Sequence, residues 1–201
     1  MNHSFKALVM LTFAAALSAG CSDSDDPPVN DTTASETSSP SPNSGPEPTV
    51  LTKFDGTFQT PCALSDPEDS TAGSEVVTTT ISGAMGSILA MDYTDTNCAV
   101  PASPTEYLAE ISIAYPEGTV ETPLGTADFV NYTPESAMLD GQPLTTEQQT
   151  LLGSQGFFDT RFSLLLIVDD SLYFGDDSGE LDGDTAETRP TTLSAVPAIR
   201  Q

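Results

Sequence analysis

The sequence has no tryptophan, one histidine and only 5 lysine and arginine residues among its 201 residues. The histidine, His3, lies at the extreme N-terminus, so the rest of the chain has no imidazole for a Ser-His-Asp triad, a Cys-His dyad or a His-based metal site. Gly-x-Ser-x-Gly, Walker and dinucleotide-binding motifs do not occur, and neither does Ser-x-x-Lys, because Lys53 is the only lysine after Lys6. These absences exclude most of the common enzyme classes.

Acidic residues dominate the charge, with 30 aspartate and glutamate residues against 5 basic ones and a net charge of -25. Such a surface repels nucleic acid and anionic lipid, so we expect no nucleic-acid partner. A pair of carboxylates is the remaining candidate for catalysis, as in glycoside hydrolysis. Because the chain has no tryptophan on which a sugar could stack, we predict that it is not an enzyme and has no catalytic residues.

The N-terminus has the pattern of a secretory signal, with Lys6 followed by an apolar run from Ala7 to Leu17 that is too short to span a bilayer as a helix. The run ends in Ala19-Gly20-Cys21, which resembles the lipobox of bacterial lipoprotein precursors. The resemblance implies a signal peptide at 1–20, acylation of Cys21 and anchorage in a membrane. Ser22 follows the cysteine where an inner-membrane retention signal has aspartate, which favours the outer membrane. The alternative is a secreted protein that is cut near Ala19.

The chain contains 3 cysteines. If Cys21 carries lipid, Cys62 and Cys98 are left as an even pair in an oxidising compartment, and we predict a disulfide between them. In the chain-entropy model, closing this loop stabilises the folded state by roughly 3 to 4 kcal/mol.

Composition divides the chain after the predicted signal peptide into two parts. Residues 21–50 are rich in serine, proline and aspartate and contain almost no large apolar side chain, so we predict a disordered tether. Residues 51–201 are long enough for one domain with a hydrophobic core.

Alternating apolar and polar residues predict strands in this domain, most clearly at Val77-Thr78-Thr79-Thr80-Ile81 and from Tyr107 to Tyr115. Further strands are predicted at 53–60, 87–93, 127–132, 158–168, 171–174 and 190–196. One short helix is predicted from Thr145 to Leu152, with Gln148 completing a capping box and Gly153 as its C-cap. The fold class is therefore all-β, either a small antiparallel barrel or a sandwich, with one helix after the tether.

The densest acidic segment runs from Asp176 to Glu187. Asp182, Asp184 and Glu187 place carboxylates at spacings that could hold calcium, although the segment lacks the EF-hand pattern. The alternative is a solvated acidic turn without metal. We therefore predict no cofactor, with calcium as the one candidate.

Five short segments together resemble disulfide-containing, loosely lipocalin-like domains of bacterial lipoproteins. These segments are Gly56-Thr57-Phe58, Cys62, Tyr93-Thr94-Asp95-Thr96-Asn97-Cys98, Leu172-Tyr173-Phe174-Gly175 and Arg189-Pro190-Thr191. Lipocalins carry Gly-x-Trp on the first strand and a late arginine packed over that tryptophan. By this resemblance Phe58 replaces the tryptophan, and Arg189 or Arg200 is the counterpart of the arginine.

The lipocalin likeness implies a small hydrophobic ligand inside a barrel. The candidate lining residues are Phe58, Ile111, Ile113, Phe129, Phe162, Leu164 and Leu166, which could equally form a packed core. A structural or protein-interaction role in the cell envelope is the alternative, and its expected mark is an exposed apolar patch.

Overall fold

The computed structural model describes residues 52–65, 69, 71, 73–178 and 180–201. The predicted signal peptide, the lipidated Cys21 and the tether lie outside the described residues. The first described element is a short 3-10 helix, Thr52–Phe54.

The domain is a closed antiparallel barrel of 8 strands, which confirms the all-β prediction and decides for a barrel over a sandwich. Each strand pairs with its neighbours in the ring, and β1 closes the ring by pairing with both β3 and β11. In ring order the strands are β1 (Gly56–Gln59), β3 (Ser74–Ser82), β4 (Met85–Tyr93), β5 (Pro101–Ala114), β7 (Gly125–Leu139), β9 (Arg161–Val168), β10 (Ser171–Phe174) and β11 (Ala198–Arg200).

Three short strands pair with the barrel strands without joining the ring: β2 (Ala63–Leu64) on β3, and β6 (Thr119–Thr122) and β8 (Gln142–Pro143) on β7. The predicted disulfide is present between Cys62 and Cys98, whose Cα atoms are 6.0 Å apart. It ties the segment after β1 to the turn between β4 and β5. Among the residues described, no helix is long and apolar enough to cross a membrane.

The helix α1 (Thr146–Ser154) begins as predicted, because Thr145 and Gln148 form the capping box. The prediction that it ends at Gly153 was wrong. The left-handed residue is Gly156, with a φ of 75°, and the amide of Phe157 donates to the carbonyl of Leu152 in a Schellman arrangement. Gly153 stays helical because Gly156 already supplies the residue with positive φ.

The predicted strand at 190–196 was also wrong. Apart from an isolated bridge between Gly175 and Leu193, the segment from Gly175 to Pro197 has no strand pairing in its described part. Buried Pro190 has no amide hydrogen to donate to a sheet. The segment forms a long connection, here called the 175–197 connection, that crosses the outside of the barrel before β11 begins.

Candidate ligand-binding cavity

One end of the barrel is closed by aromatic packing, and is called the Phe54 end below. The 3-10 helix places Phe54 across this end, where its ring stacks on Tyr115 with a centroid separation of 5.9 Å. Tyr115 donates a hydrogen bond to the carbonyl of Gly83, and the amide of Gly83 donates to the Asp55 carboxylate. Burial, and after it the negative charge of Asp55, raises the pKa of Tyr115 to about 12.

Arg200 completes this closure. Its guanidinium lies over the ring of Phe58, 4.5 Å from the ring centroid, and donates to the carbonyl of Asp55. Gly56 makes room for it, because a Cβ at Gly56 would lie 2.3 Å from a guanidinium nitrogen of Arg200. Of the two arginines considered from the sequence, Arg200 is therefore the one that packs over Phe58.

Inside the barrel, inward-facing side chains enclose a cavity of about 40 Å³. Its wall is mostly aliphatic, formed by Ile81, Ile88, Ile111, Ile113, Val130 and Leu165. The other lining residues are Thr79, Tyr132, Ser163, Phe174, Gly175 and Asp177. Because Tyr132, Phe174 and Asp177 are partly exposed, the cavity reaches the surface at these three residues, which we call the rim.

The polar lining groups are not all satisfied within the protein. Thr79 is 2% exposed, and its hydroxyl has no hydrogen-bond partner. Phe58 and Ile88 lie opposite it on the two neighbouring strands, so its surroundings across the sheet are apolar. At the rim, burial and then the charge of Asp177 raise the pKa of Tyr132 to about 12, while Arg161 acts in the opposite direction.

The structure divides the seven predicted lining residues. Ile111 and Ile113 line the cavity, whereas Phe58 is fully buried under Arg200 and does not. Four predictions are corrected, because their side chains alternate with lining residues along the strands and therefore face outward. These are Phe129, Phe162, Leu164 and Leu166.

On the outside of β7 and β9, the 175–197 connection covers two of these aromatic rings, which explains why they look like core residues in the sequence. Arg189 stacks over Phe129 at 4.5 Å and Phe162 at 5.4 Å. Its guanidinium also donates to the carbonyls of Val130 and Ser163 and to the side chain of Asn131. Burial lowers the pKa of this arginine. Arg189 thus fastens the connection to the barrel wall.

The acidic segment lies within the same connection. Asp184 forms an ion pair with Arg161, and Asp182 accepts a hydrogen bond from the amide of Asp184. The described residues contain no group of three or more histidine, cysteine, aspartate or glutamate side chains that could hold a metal ion. Calcium binding at Asp182, Asp184 and Glu187 therefore stays a prediction.

A second small core lies on the inward face of β5, away from the Phe54 end. Leu144, Leu152 and Phe157, from α1 and its flanking segments, pack against Ala109 of β5. Leu152 and Phe157 are also the residues that the Schellman hydrogen bond brings together. The helix is thereby fixed to the part of the sheet that lies beyond the cavity.

Sequence reasoning did not identify Thr79, Tyr132, Ser163 or Asp177 as lining residues. Thr79 had a usable signal, because it occupies the same alternating positions as Val77 and Ile81 and must face inward with them. The rim residue Asp177 had no such signal in the sequence, since it follows the end of β10 and its position depends on the path of the 175–197 connection.

Comparison with known proteins adds no family, because no family model matches the chain and no curated protein matches it.

Proposed function

We propose that this protein is a non-catalytic, lipid-anchored lipoprotein of the bacterial outer membrane whose barrel binds a small, largely apolar molecule. The observation that carries the proposal is the aliphatic cavity with an unpartnered hydroxyl inside it. A buried hydroxyl without a partner costs about 1 to 3 kcal/mol. A ligand that brings one polar atom to Thr79 recovers this energy while burying apolar surface.

The size of the cavity limits the ligand. A cavity of about 40 Å³ is well below the roughly 150 Å³ cavity that accepts benzene. The buried part of the ligand is therefore a group of a few heavy atoms, such as a short or branched alkyl group. Any larger part of the molecule extends past the rim into solvent.

The anchor is supported by the lipobox ending at Cys21 and by the Cys62–Cys98 disulfide, which fits an oxidising compartment. We infer that the tether holds the barrel roughly 30 Å from the membrane, as expected for a flexible chain of this length. Cys21→Ser should abolish incorporation of labelled palmitate and release the protein from the membrane fraction. If this variant still incorporates palmitate at the parental level, the proposed anchor is wrong.

Native mass spectrometry of the purified full-length protein tests the binding function. We expect a co-purified small-molecule adduct that is lost in Val130→Phe, because the added ring fills the cavity. Val120→Phe is the matched control, since Val120 lies on β6 and does not line the cavity. An adduct of equal abundance in both variants would place the ligand elsewhere, and the barrel would then not be the binding site.

The alternative of a protein-interaction surface has less support. The exposed large apolar side chains among the described residues include Met85, at the start of β4, and Val100, just before β5. These two residues lie at opposite ends of the barrel. Met85 and Val100 therefore do not belong to one exposed patch of the kind that a docking surface requires.

A further inference from the structure

We propose that the cavity binds short, neutral molecules that carry a hydroxyl group at each end of an aliphatic chain, with Thr79 and Ser163 as the two hydrogen-bonding partners. The inference rests on the proposed function and names the chemical class of its ligand. Both residues line the cavity, and both are buried, Thr79 with 2% and Ser163 with 9% of its surface exposed. A hydroxyl group can both donate and accept a hydrogen bond, so each can pair with a hydroxyl of the ligand.

The two residues lie on opposite sides of the barrel. Thr79 is on β3 and Ser163 is on β9, and in the ring of 8 strands β9 is the fourth neighbour of β3 in either direction. A ligand that contacts both residues must therefore span the cavity, with one polar group at each end.

The wall between these two residues is aliphatic. Ile88 of β4 lies directly opposite Thr79 in the register of the sheet. Val130 of β7 lies directly opposite Ser163 in the same way. Strand β5, between β4 and β7, contributes Ile111 to the wall, as well as Ile113. This half of the cavity is therefore apolar in the middle and has a hydroxyl group at each border, which matches a ligand with an aliphatic middle and two polar ends.

A ligand can reach both hydroxyl groups from inside the cavity. The Thr79 hydroxyl is buried without a hydrogen-bond partner. Gly175, which also lines the cavity, leaves space beside the other hydroxyl, because a Cβ at Gly175 would lie 2.9 Å from the Ser163 oxygen. A ligand that lacks one of the two polar ends leaves a hydroxyl of the protein unpaired, and this lowers its affinity.

The ligand is neutral because the inner part of the cavity holds no ionised group to pair with a charge. Among the described lining residues, Asp177 at the rim is the one that carries a charge. Register with Tyr132 places Arg161 on the inward face at the same rim, and the two charges shift the pKa of Tyr132 in opposite directions. The rim thus presents both signs of charge, and an ionised group buried deeper would lose its hydration without compensation.

Two probes with the same four-carbon chain test the inference: tetramethylene glycol, with a hydroxyl at each end, and n-butanol, with one. Each is titrated into the full-length protein in lipid nanodiscs, with the isoleucine methyl groups labelled for NMR. Binding in the cavity should shift the methyl signals of Ile88 and Ile111, whereas exposed Ile199 should not move. We expect the glycol to bind at least about 10-fold more tightly than butanol, because butanol leaves one buried hydroxyl of the protein unpaired.

Removing either hydroxyl of the protein separates the two probes. Thr79→Val and Ser163→Ala should each weaken glycol binding at least about 10-fold. Each should change butanol binding less than about 2-fold, because the single hydroxyl of butanol can use the partner that remains. Thr80→Val is the control, since Thr80 is the next residue on β3 and does not line the cavity, and it should leave both affinities unchanged.

Three results would overturn this inference alone: butanol binding as tightly as the glycol, unchanged glycol affinity in Thr79→Val or in Ser163→Ala, or an equal loss of glycol affinity in Thr80→Val. If neither probe shifts the cavity methyl groups, the proposed binding function fails as well.

Discussion

Replacing Thr79 by valine should stabilise this protein, although substitutions in a buried core usually destabilise. Thr79 is 2% exposed, and its hydroxyl has no hydrogen-bond partner in the structure. Valine has almost the same shape, so the substitution removes the hydroxyl without creating a cavity. Phe58 and Ile88, the cross-strand neighbours, present apolar surface to the new methyl group.

The expected gain follows from the cost of burying an unpaired hydroxyl. That cost is about 1 to 3 kcal/mol, and Thr79→Val should recover most of it as free energy of unfolding. For a domain of this size, each kcal/mol raises the Tm by about 2 to 4 °C. Urea unfolding followed by far-UV circular dichroism measures the change directly, and it does not require tryptophan fluorescence, which this chain lacks.

Thr80→Val provides the control, because Thr80 is the next residue on β3 and its hydroxyl contacts that of Thr57 at 3.2 Å. The same substitution there should leave stability unchanged or lower it by up to about 1 kcal/mol. The reasoning would be refuted if Thr79→Val were neutral or destabilising. In that case, the Thr79 hydroxyl is already hydrogen-bonded in solution.

Three further measurements test other parts of the fold. Replacing Cys62 and Cys98 by serine should lower the free energy of unfolding by about 2 to 5 kcal/mol, as measured by urea unfolding. An unchanged urea midpoint would contradict the disulfide-closed loop. Arg189→Ala removes charged hydrogen bonds worth about 1.5 to 3 kcal/mol each, so hydrogen exchange should accelerate along the 175–197 connection but not in β4. Stability should fall as pH rises from about 10 to about 12, because the folded state retains the Tyr132 and Tyr115 protons after the unfolded chain has lost them. Tyr132→Phe should make this fall less steep, and an unchanged slope would contradict the assignment.

Local sequence patterns predicted the elements whose formation depends on near neighbours. The capping box at Thr145 needs only Gln148, three residues away, and it formed as expected. The strands predicted at 158–168 and 171–174 formed as β9 and β10, which pair directly with each other across Asp169 and Asp170. The disulfide followed from the number of cysteines. In each case the information lies within a short segment or in a simple count.

Predictions about which side of a strand is buried failed where a distant segment changes the environment. Leu164 is fully buried although it faces out of the barrel. The 175–197 connection lies on this outer side of the barrel wall, where Arg189 fastens it to β7 and β9. Strand β9 is therefore apolar on both faces, and hydrophobicity alone could not tell which of its residues face inward. Register with β7 decides this, and register is a property of the folded sheet.

The position of the cavity follows from the sizes of the inward-facing side chains. An eight-stranded barrel is just wide enough to be filled by its own side chains or to hold one small ligand. The aromatic residues Phe54, Phe58 and Tyr115 fill the Phe54 end. Beside them, the smaller Thr79 and Ser163 line the space that remains. A small polar residue at an inward position of a strand is therefore the sequence signal to look for, because it contributes both the space and the hydrogen-bonding group that a ligand uses. Applied to β3, where Val77 and Ile81 flank it, this rule selects Thr79 from the alternation alone.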